Sequence, residues 1–185
     1  MPKIGMEPIR RAALVKATIA EVGRAGSLDV SVSRIAQRAG MSSALAHHYF
    51  GNKDQIFVAA MRQILDDYRA EVLTALKGAT DRATAIVTAS FAPSSFAPAT
   101  VSAWMTFYVQ AQRNPQAQRL LSLYQRRLRS NLTHALRGNV DDPVEAADTL
   151  AALIDGFYIR AALAAPDADA VGKVLKTLKI LRGHA

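Results

Sequence analysis

The chain has 185 residues, half of them apolar, no cysteine and a formal net charge of +8. That length and apolar content allow one or two small domains with real cores and exclude wholesale disorder. The missing cysteines exclude a disulfide framework and a thiolate metal site, and the opening MPKIGMEPIRR lacks the apolar stretch of a secretory signal, so a cytoplasmic protein is expected.

The first predicted element is a helix from Pro8 to Ala25. Leu14, Thr18 and Val22 share a face at four-residue spacing, with Val15 and Ile19 beside them, and Gly26 supplies the stop. From Ser31 to Phe50 the sequence SVSRIAQRAGMSSALAHHYF reads as two short helices around a tight turn. Val32, Ile35 and Ala36 form an apolar face that Ala39 continues for one more turn. Gly40 breaks the pattern, because only glycine enters the left-handed region without steric cost. Ser42 then suits an N-cap, since its hydroxyl can accept from an orphan backbone N–H of the next helix. That helix, Ser43 to Phe50, carries Ala44, Leu45, His47, His48 and Tyr49. The competing reading is an ordinary helical hairpin in a core. Two short helices around a glycine turn at this length favour the helix-turn-helix, buttressed by the helix before it into a three-helix DNA-binding unit.

Charge points the same way. Residues 1–53 hold eight basic side chains (Lys3, Arg10, Arg11, Lys16, Arg24, Arg34, Arg38, Lys53) and three acidic ones (Glu7, Glu21, Asp29), a balance of +5. A basic segment overlapping such a motif is the footprint expected for phosphate binding, although a solvated face has the same composition.

Asn52 can cap a further helix, with Gln55 in the position of a capping box. Lys53 is then its first residue, where a lysine and the exposed backbone N–H groups both favour an anion. Ile56, Phe57, Ala60, Ile64, Tyr68, Val72 and Leu76 mark the apolar stripe of a rod reaching about Lys77, roughly 37 Å long. Gly78 ends it. The uncharged run Ala83–Gln112 does not read as a membrane span, because Pro93 and Pro98 interrupt it and Thr, Ser and Gln are scattered through it. Buried helices lining an internal space fit better. Six of the twelve aromatics (Phe91, Phe96, Trp104, Phe107, Tyr108, Tyr124) fall within residues 91–124. Singly each suits a core, and together they suit a ligand cavity.

Asn114-Pro115 starts the next helix. Its Arg119, Arg126, Arg127, Arg129 and Arg137 form either a second nucleic-acid surface or, the better reading, a solvated face with Leu120, Leu123, Leu128 and Leu132 turned inward. Asp142-Pro143-Val144-Glu145 is another strong helix start. From there to Ala164 the helix is apolar on more than one side, and a last helix follows Pro166. Doubled by two-fold symmetry, this pair predicts a four-helix homodimer interface. The expected fold class is therefore all-α: a DNA-binding domain over residues 1–52 with its motif at 31–50, and a helical ligand-binding and dimerisation domain over residues 53–185.

The segments Arg10–Gly26, SVSRIAQRAGMS and HHYFGNKDQIF resemble the N-terminal domain of TetR-family transcriptional regulators. The opening MPKIGMEPIRR, with SAWMTFYVQA and ALIDGFYIRAAL, is similar to the BetI branch, the choline-responsive repressors of glycine betaine synthesis. The resemblance implies a repressor of double-stranded operator DNA released by a choline-like effector, a homodimer, and a phosphate role for Lys53. An architectural DNA-binding protein and a helical enzyme with an accidental motif are the alternatives. No catalytic site, cofactor site or membrane contact is expected. His47 and His48 point about 100° apart on a helix, and His134 and His184 are isolated, so no metal set forms. The glycine-containing stretches match no nucleotide fingerprint.

Ser43, Ala44 and Leu45 head the second helix, the end that enters the major groove, where serine can bond base edges and alanine or leucine can pack on thymine methyls. His47 stands where many relatives carry tyrosine, and its role stays open between base edge, phosphate and neither. Ser31, Ser42, His48, Tyr49 and Lys53 are the phosphate candidates. For the effector, Trp104 offers the strongest π-face for a quaternary ammonium. Phe107 or Tyr108 can share its wall, Phe157 or Tyr158 can close the cage, and Asp155 is the candidate counter-ion. The alternative is Asp155 buried with an arginine such as Arg160, the aromatics as core, and a different apolar or cationic small molecule, such as a drug or metabolite, as effector.

Overall fold

The computed structural model describes residues 5–164 and 167–183. Lys3, Pro166 and His184, singled out above, lie outside them. The described residues form nine helices and no strand: α1 (Met6–Ala25), α2 (Val32–Arg38), α3 (Ser43–Phe50), α4 (Lys53–Leu76), α5 (Arg82–Ser90), α6 (Pro98–Ala111), α7 (Pro115–Leu136), α8 (Pro143–Leu163) and α9 (Ala170–Gly183). The all-α expectation holds. None of these helices is long and apolar enough to cross a membrane.

Local chemistry sets most helix starts. The side chains of Ser31, Ser42, Asn52, Asp81, Asn114 and Asp142 each accept from a backbone N–H in the first turn that follows, and such a cap stabilises a helix by about 1 kcal/mol. Gly40, at φ 68°, makes the turn between α2 and α3. Two boundaries differ from the sequence reading. α1 begins at Met6, because Pro8 then sits in the first turn, where its missing N–H would be unpaired anyway. The last helix, expected to follow Pro166, begins at Ala170, four positions on.

α1, α2 and α3 close around Leu14, Val22, Ile35, Ala36 and Ala46, all fully buried. This unit is not isolated. α1 packs along α6, its most extensive partner. At the crossing Gly23 lies so close that a β-carbon on it would stand 2.2 Å from the Ala99 carbonyl oxygen. α4 continues from the small unit into the rest of the molecule, where it packs on α5, α6 and α7. α8 buries Ala147, Leu150, Ile154 and Tyr158 against that bundle. Its other side leaves Ile159 and Leu163 42% and 83% exposed, and α9 leaves Ile180 51% exposed.

Candidate nucleic-acid interface and effector site

α3 is anchored by the buried Ala46 and Phe50, which fixes the face it turns outward. Ala44, His47 and His48 are exposed, and Ser43, Leu45 and Tyr49 are half-buried. The serines carry structural duties. Ser31 Oγ accepts from Arg34 N at 3.2 Å and Ser42 Oγ from Leu45 N at 3.2 Å. Each hydroxyl keeps its proton for an outside acceptor. Ser43 instead donates to Ser33 Oγ at 2.9 Å, a link between the two helices of the motif. The His47 ring nitrogen Nδ1 lies 3.0 Å from the Gly51 carbonyl oxygen, so Nδ1 carries the proton there and neutral His47 presents Nε2 outward as an acceptor. Tyr49 is held at both ends. Arg10 donates to its hydroxyl at 3.4 Å and Arg11 donates to its carbonyl oxygen. Lys53 opens α4 with its ammonium 5.4 Å from the Phe57 ring centre. Asn52 caps α4, but Gln55 does not complete the capping box. Its amide donates to Gln116 Oε1 at 3.3 Å, tying the start of α4 to the start of α7.

The basic field is smaller than the charge count suggests. Glu21, its side chain only 5% exposed, gathers three of the arginines: Arg24 at 2.9 Å, Arg34 at 3.3 Å and Arg38 at 2.5 Å. Hydrogen bonds from Arg24 and Arg38 hold its carboxyl below the usual carboxylate range. The hub pins α2 to α1. Sequence reasoning counted Glu21 only as an acid. The one available signal was a carboxylate on the apolar side of α1, one residue before Val22.

The candidate effector residues divide into two groups. Trp104 is buried, with Tyr108 and Tyr124 edge-on to it, each 5.2 Å away between ring centres. Tyr68 meets Tyr124 edge-on at 5.6 Å. Tyr68, Trp104, Tyr124 and Tyr158 line a small cavity together with Ile64, Leu65, Ser95 and Thr100. Its volume is about 20 Å³, room for one water. Asp155, half-buried, accepts from the Tyr124 hydroxyl at 3.4 Å. Burial raises its pKa, and the hydroxyls of Tyr108 and Tyr124 moderate the rise. The Tyr108 hydroxyl is buried without a hydrogen bond of ordinary geometry. Burial and the charge of Asp155 both push its pKa upward. Arg160 is exposed and makes no ion pair with Asp155.

Phe107 and Phe157 stand elsewhere. Phe107 is fully buried beside Phe57 and Met61 of α4 and Ala117 of α7. Phe157 meets Phe91 at 6.0 Å and lines no part of the small cavity. Tyr158 bridges both groups. Its ring packs on Phe96 at 5.1 Å and its hydroxyl donates to the Ser90 carbonyl oxygen at 2.5 Å. Ser90 Oγ donates to the Ile86 carbonyl oxygen at 2.9 Å, so the Tyr68 hydroxyl, 3.1 Å away, is the donor to Ser90 Oγ. Burial pushes Tyr68 up to about 12. Sequence reasoning missed Tyr68, which it placed only in the apolar stripe of α4, and Tyr124, which it counted among the aromatics without assigning a wall.

Residues 14–60 match the family of bacterial regulatory proteins, tetR family, and residues 79–178 match the BetI-type transcriptional repressor, C-terminal. The chain is 44% identical to the HTH-type transcriptional regulator BetI of Rhizobium meliloti over 189 residues, covering all of this chain and 93% of that protein. It is 50% identical to the regulator of the same name from Agrobacterium fabrum over 168 residues, covering 88% and 82% of the two chains. Among solved structures, a TetR transcription regulator from Haloarcula marismortui superposes with a TM-score of 0.82 at 19% identity, covering 95% of this chain and 97% of that one. A transcriptional regulator from Saccharomonospora viridis in complex with choline superposes with a TM-score of 0.76 at 21% identity, covering 94% and 95%.

Proposed function

The chain belongs to the TetR family and to its BetI branch of DNA-binding transcriptional repressors, and on that premise we propose that choline or a related quaternary ammonium compound controls it through the cavity around Trp104. It is a transcriptional regulator, not an enzyme. One observation carries the effector reading: four aromatic rings, from Tyr68, Trp104, Tyr124 and Tyr158, surround one small space, with Asp155 hydrogen-bonded to one of the four. A quaternary ammonium donates no conventional hydrogen bond and is held against aromatic faces, each contact worth about 0.5–2 kcal/mol. The Asp155 carboxylate supplies the charge that the rings lack. A regulator of the same fold, from Saccharomonospora viridis, holds choline.

The cavity with room for one water must open to admit a trimethylammonium group. Three of its walls, Ile64, Leu65 and Tyr68, belong to α4. Opening therefore displaces α4, and the far end of α4 carries Lys53. In this reading residues 1–52 are the DNA-binding domain and residues 53–185 the regulatory and dimerisation domain. Ser43, Ala44, Leu45 and His47 face base edges. Ser31, Ser42, His48, Tyr49 and Lys53 face phosphates. Two copies dimerise through α8 and α9, where Ile159, Leu163 and Ile180 lie exposed and full burial of each is worth about 1.5–3 kcal/mol. The dimer spaces its reading heads for half-sites roughly 34 Å apart or a multiple of that, and the effector spoils the spacing. Calorimetry with choline tests the cavity, using the wild type and Trp104→Ala after circular dichroism has shown the variant folded. Saturable heat with the wild type and at least tenfold weaker binding in the variant is expected. No heat with the wild type, or equal affinity in both, contradicts the assignment.

A further inference from the structure

Between α4 and α7 runs a groove of about 620 Å³. It lies away from the reading face and extends beyond the choline cavity, with which it shares only Leu65, Tyr68 and Tyr124. Its floor is apolar, built from Val72, Leu73 and Leu76 of α4 and Leu120, Leu123 and Leu128 of α7. Leu73 stands 50% exposed in it. The rim is cationic: Arg62, Arg69, Arg82 and Arg127, against the single carboxylate of Asp66. None of these four arginines makes an ion pair among the described residues.

At its far end the groove shares Leu76, Arg82 and Asn131 with a second cavity of about 830 Å³. That cavity adds Arg126, Arg129, Arg137 and His134, and no carboxylate lines it. Arg129 is paired with Asp148 at 2.7 Å, which leaves Arg126 and Arg137 unpaired among the described residues. An apolar trough that ends in an uncompensated cationic mouth calls for a ligand of the same build. Nucleic acid fits the arginines but has no use for a leucine floor, and a quaternary ammonium is repelled by the rim.

We infer that this groove and its basic mouth form a second ligand site, for a single-chain amphipathic anion: a hydrocarbon tail along α4 and α7, and a carboxylate or phosphate head among Arg82, Arg126 and Arg137. On α4 the floor runs from Leu65 to Leu76, roughly 16 Å, which suits a tail of about ten to twelve carbons. Leu65, Tyr68 and Tyr124 line both the groove and the cavity beside Trp104, so the two sites share a wall.

Calorimetry of the full-length protein with decanoate, below its micelle concentration and at constant ionic strength, tests this. 1-Decanol is the uncharged control of equal chain length. The expected result is saturable decanoate binding, at least tenfold tighter than decanol. Arg82→Glu with Arg127→Glu, both exposed positions, should weaken decanoate at least tenfold. Leu73→Glu should do the same. Choline affinity should stay unchanged in these variants, which also reports that they are folded. No saturable decanoate binding, equal binding of decanol, or full retention in both variants overturns the site. Binding only to vesicles of acidic phospholipid overturns it as well, by making the surface a membrane contact.

Discussion

Replacing Glu21 with Gln keeps the shape of the hub between α1 and α2 and removes its charge. Three guanidinium groups, 43–56% exposed, then face one another across a side chain that is itself 5% exposed. Breaking a fully buried pair by removing one partner costs about 3–5 kcal/mol. Exposed pairs are worth about 0–1 kcal/mol because solvent screens them. A buried carboxylate with half-exposed partners falls between, so Glu21→Gln should cost about 2 kcal/mol. For a chain of this size that lowers the thermal midpoint by about 4–8 °C. The pH dependence gives a second reading. The folded-state pKa of Glu21 is lowered, so its contribution is fully present above the unfolded carboxylate pKa and is lost as pH falls through the folded value. Thermal unfolding followed by circular dichroism at pH 7, and again in steps below pH 4.5, should therefore show the gap between wild type and variant closing with acid. A variant within about 0.5 kcal/mol of wild type at pH 7, the size of an ordinary surface change, would refute the hub. So would a gap that does not shrink with acid.

Three further outcomes are expected. Gly23→Ala places a β-carbon 2.2 Å from the Ala99 carbonyl oxygen, so α6 must retreat from α1; overpacking of this kind costs about 1–3 kcal/mol, and an unchanged unfolding midpoint would contradict the crossing. Lys53→Ala should weaken binding to specific and random duplexes alike and reduce the dependence of log affinity on log salt by about one; an unchanged slope removes Lys53 from the phosphate contacts. The raised pKa of Asp155 makes protons compete with a cationic ligand. Choline affinity should fall as pH drops through that raised value and below, and the fall should vanish in Asp155→Asn, as calorimetry across pH would register.

The helix starts were legible because a cap is a local contract. Ser42, Asn52, Asn114 and Asp142 each bond a backbone N–H two or three residues away, and that spacing is written in the sequence. What the sequence left open was the choice between neighbours on one helix face. Phe107 and Tyr108 lie three and four residues beyond Trp104, and either suits its wall. Packing of α4 and α7 onto α6 claims Phe107 for the core, while Tyr108 stays against Trp104. Long-range meetings were equally out of reach. Arg38 reaches Glu21 across 17 positions, Tyr124 reaches Asp155 across 31, and Gly23 owes its size to Ala99 in another helix. Periodicity marks which residues turn inward and is silent about what they meet there.

In the proposed function, effector and DNA favour opposing states of one protein. The direct measurement is a titration of a duplex site, selected by the protein from random sequences, at fixed salt with and without saturating choline, paired with choline calorimetry on free and DNA-bound protein. Choline should weaken duplex affinity by a factor of about 5–150, and DNA should weaken choline affinity by that same factor, because linkage between two ligands is reciprocal. Choline that binds the protein yet leaves duplex affinity unchanged would contradict the account.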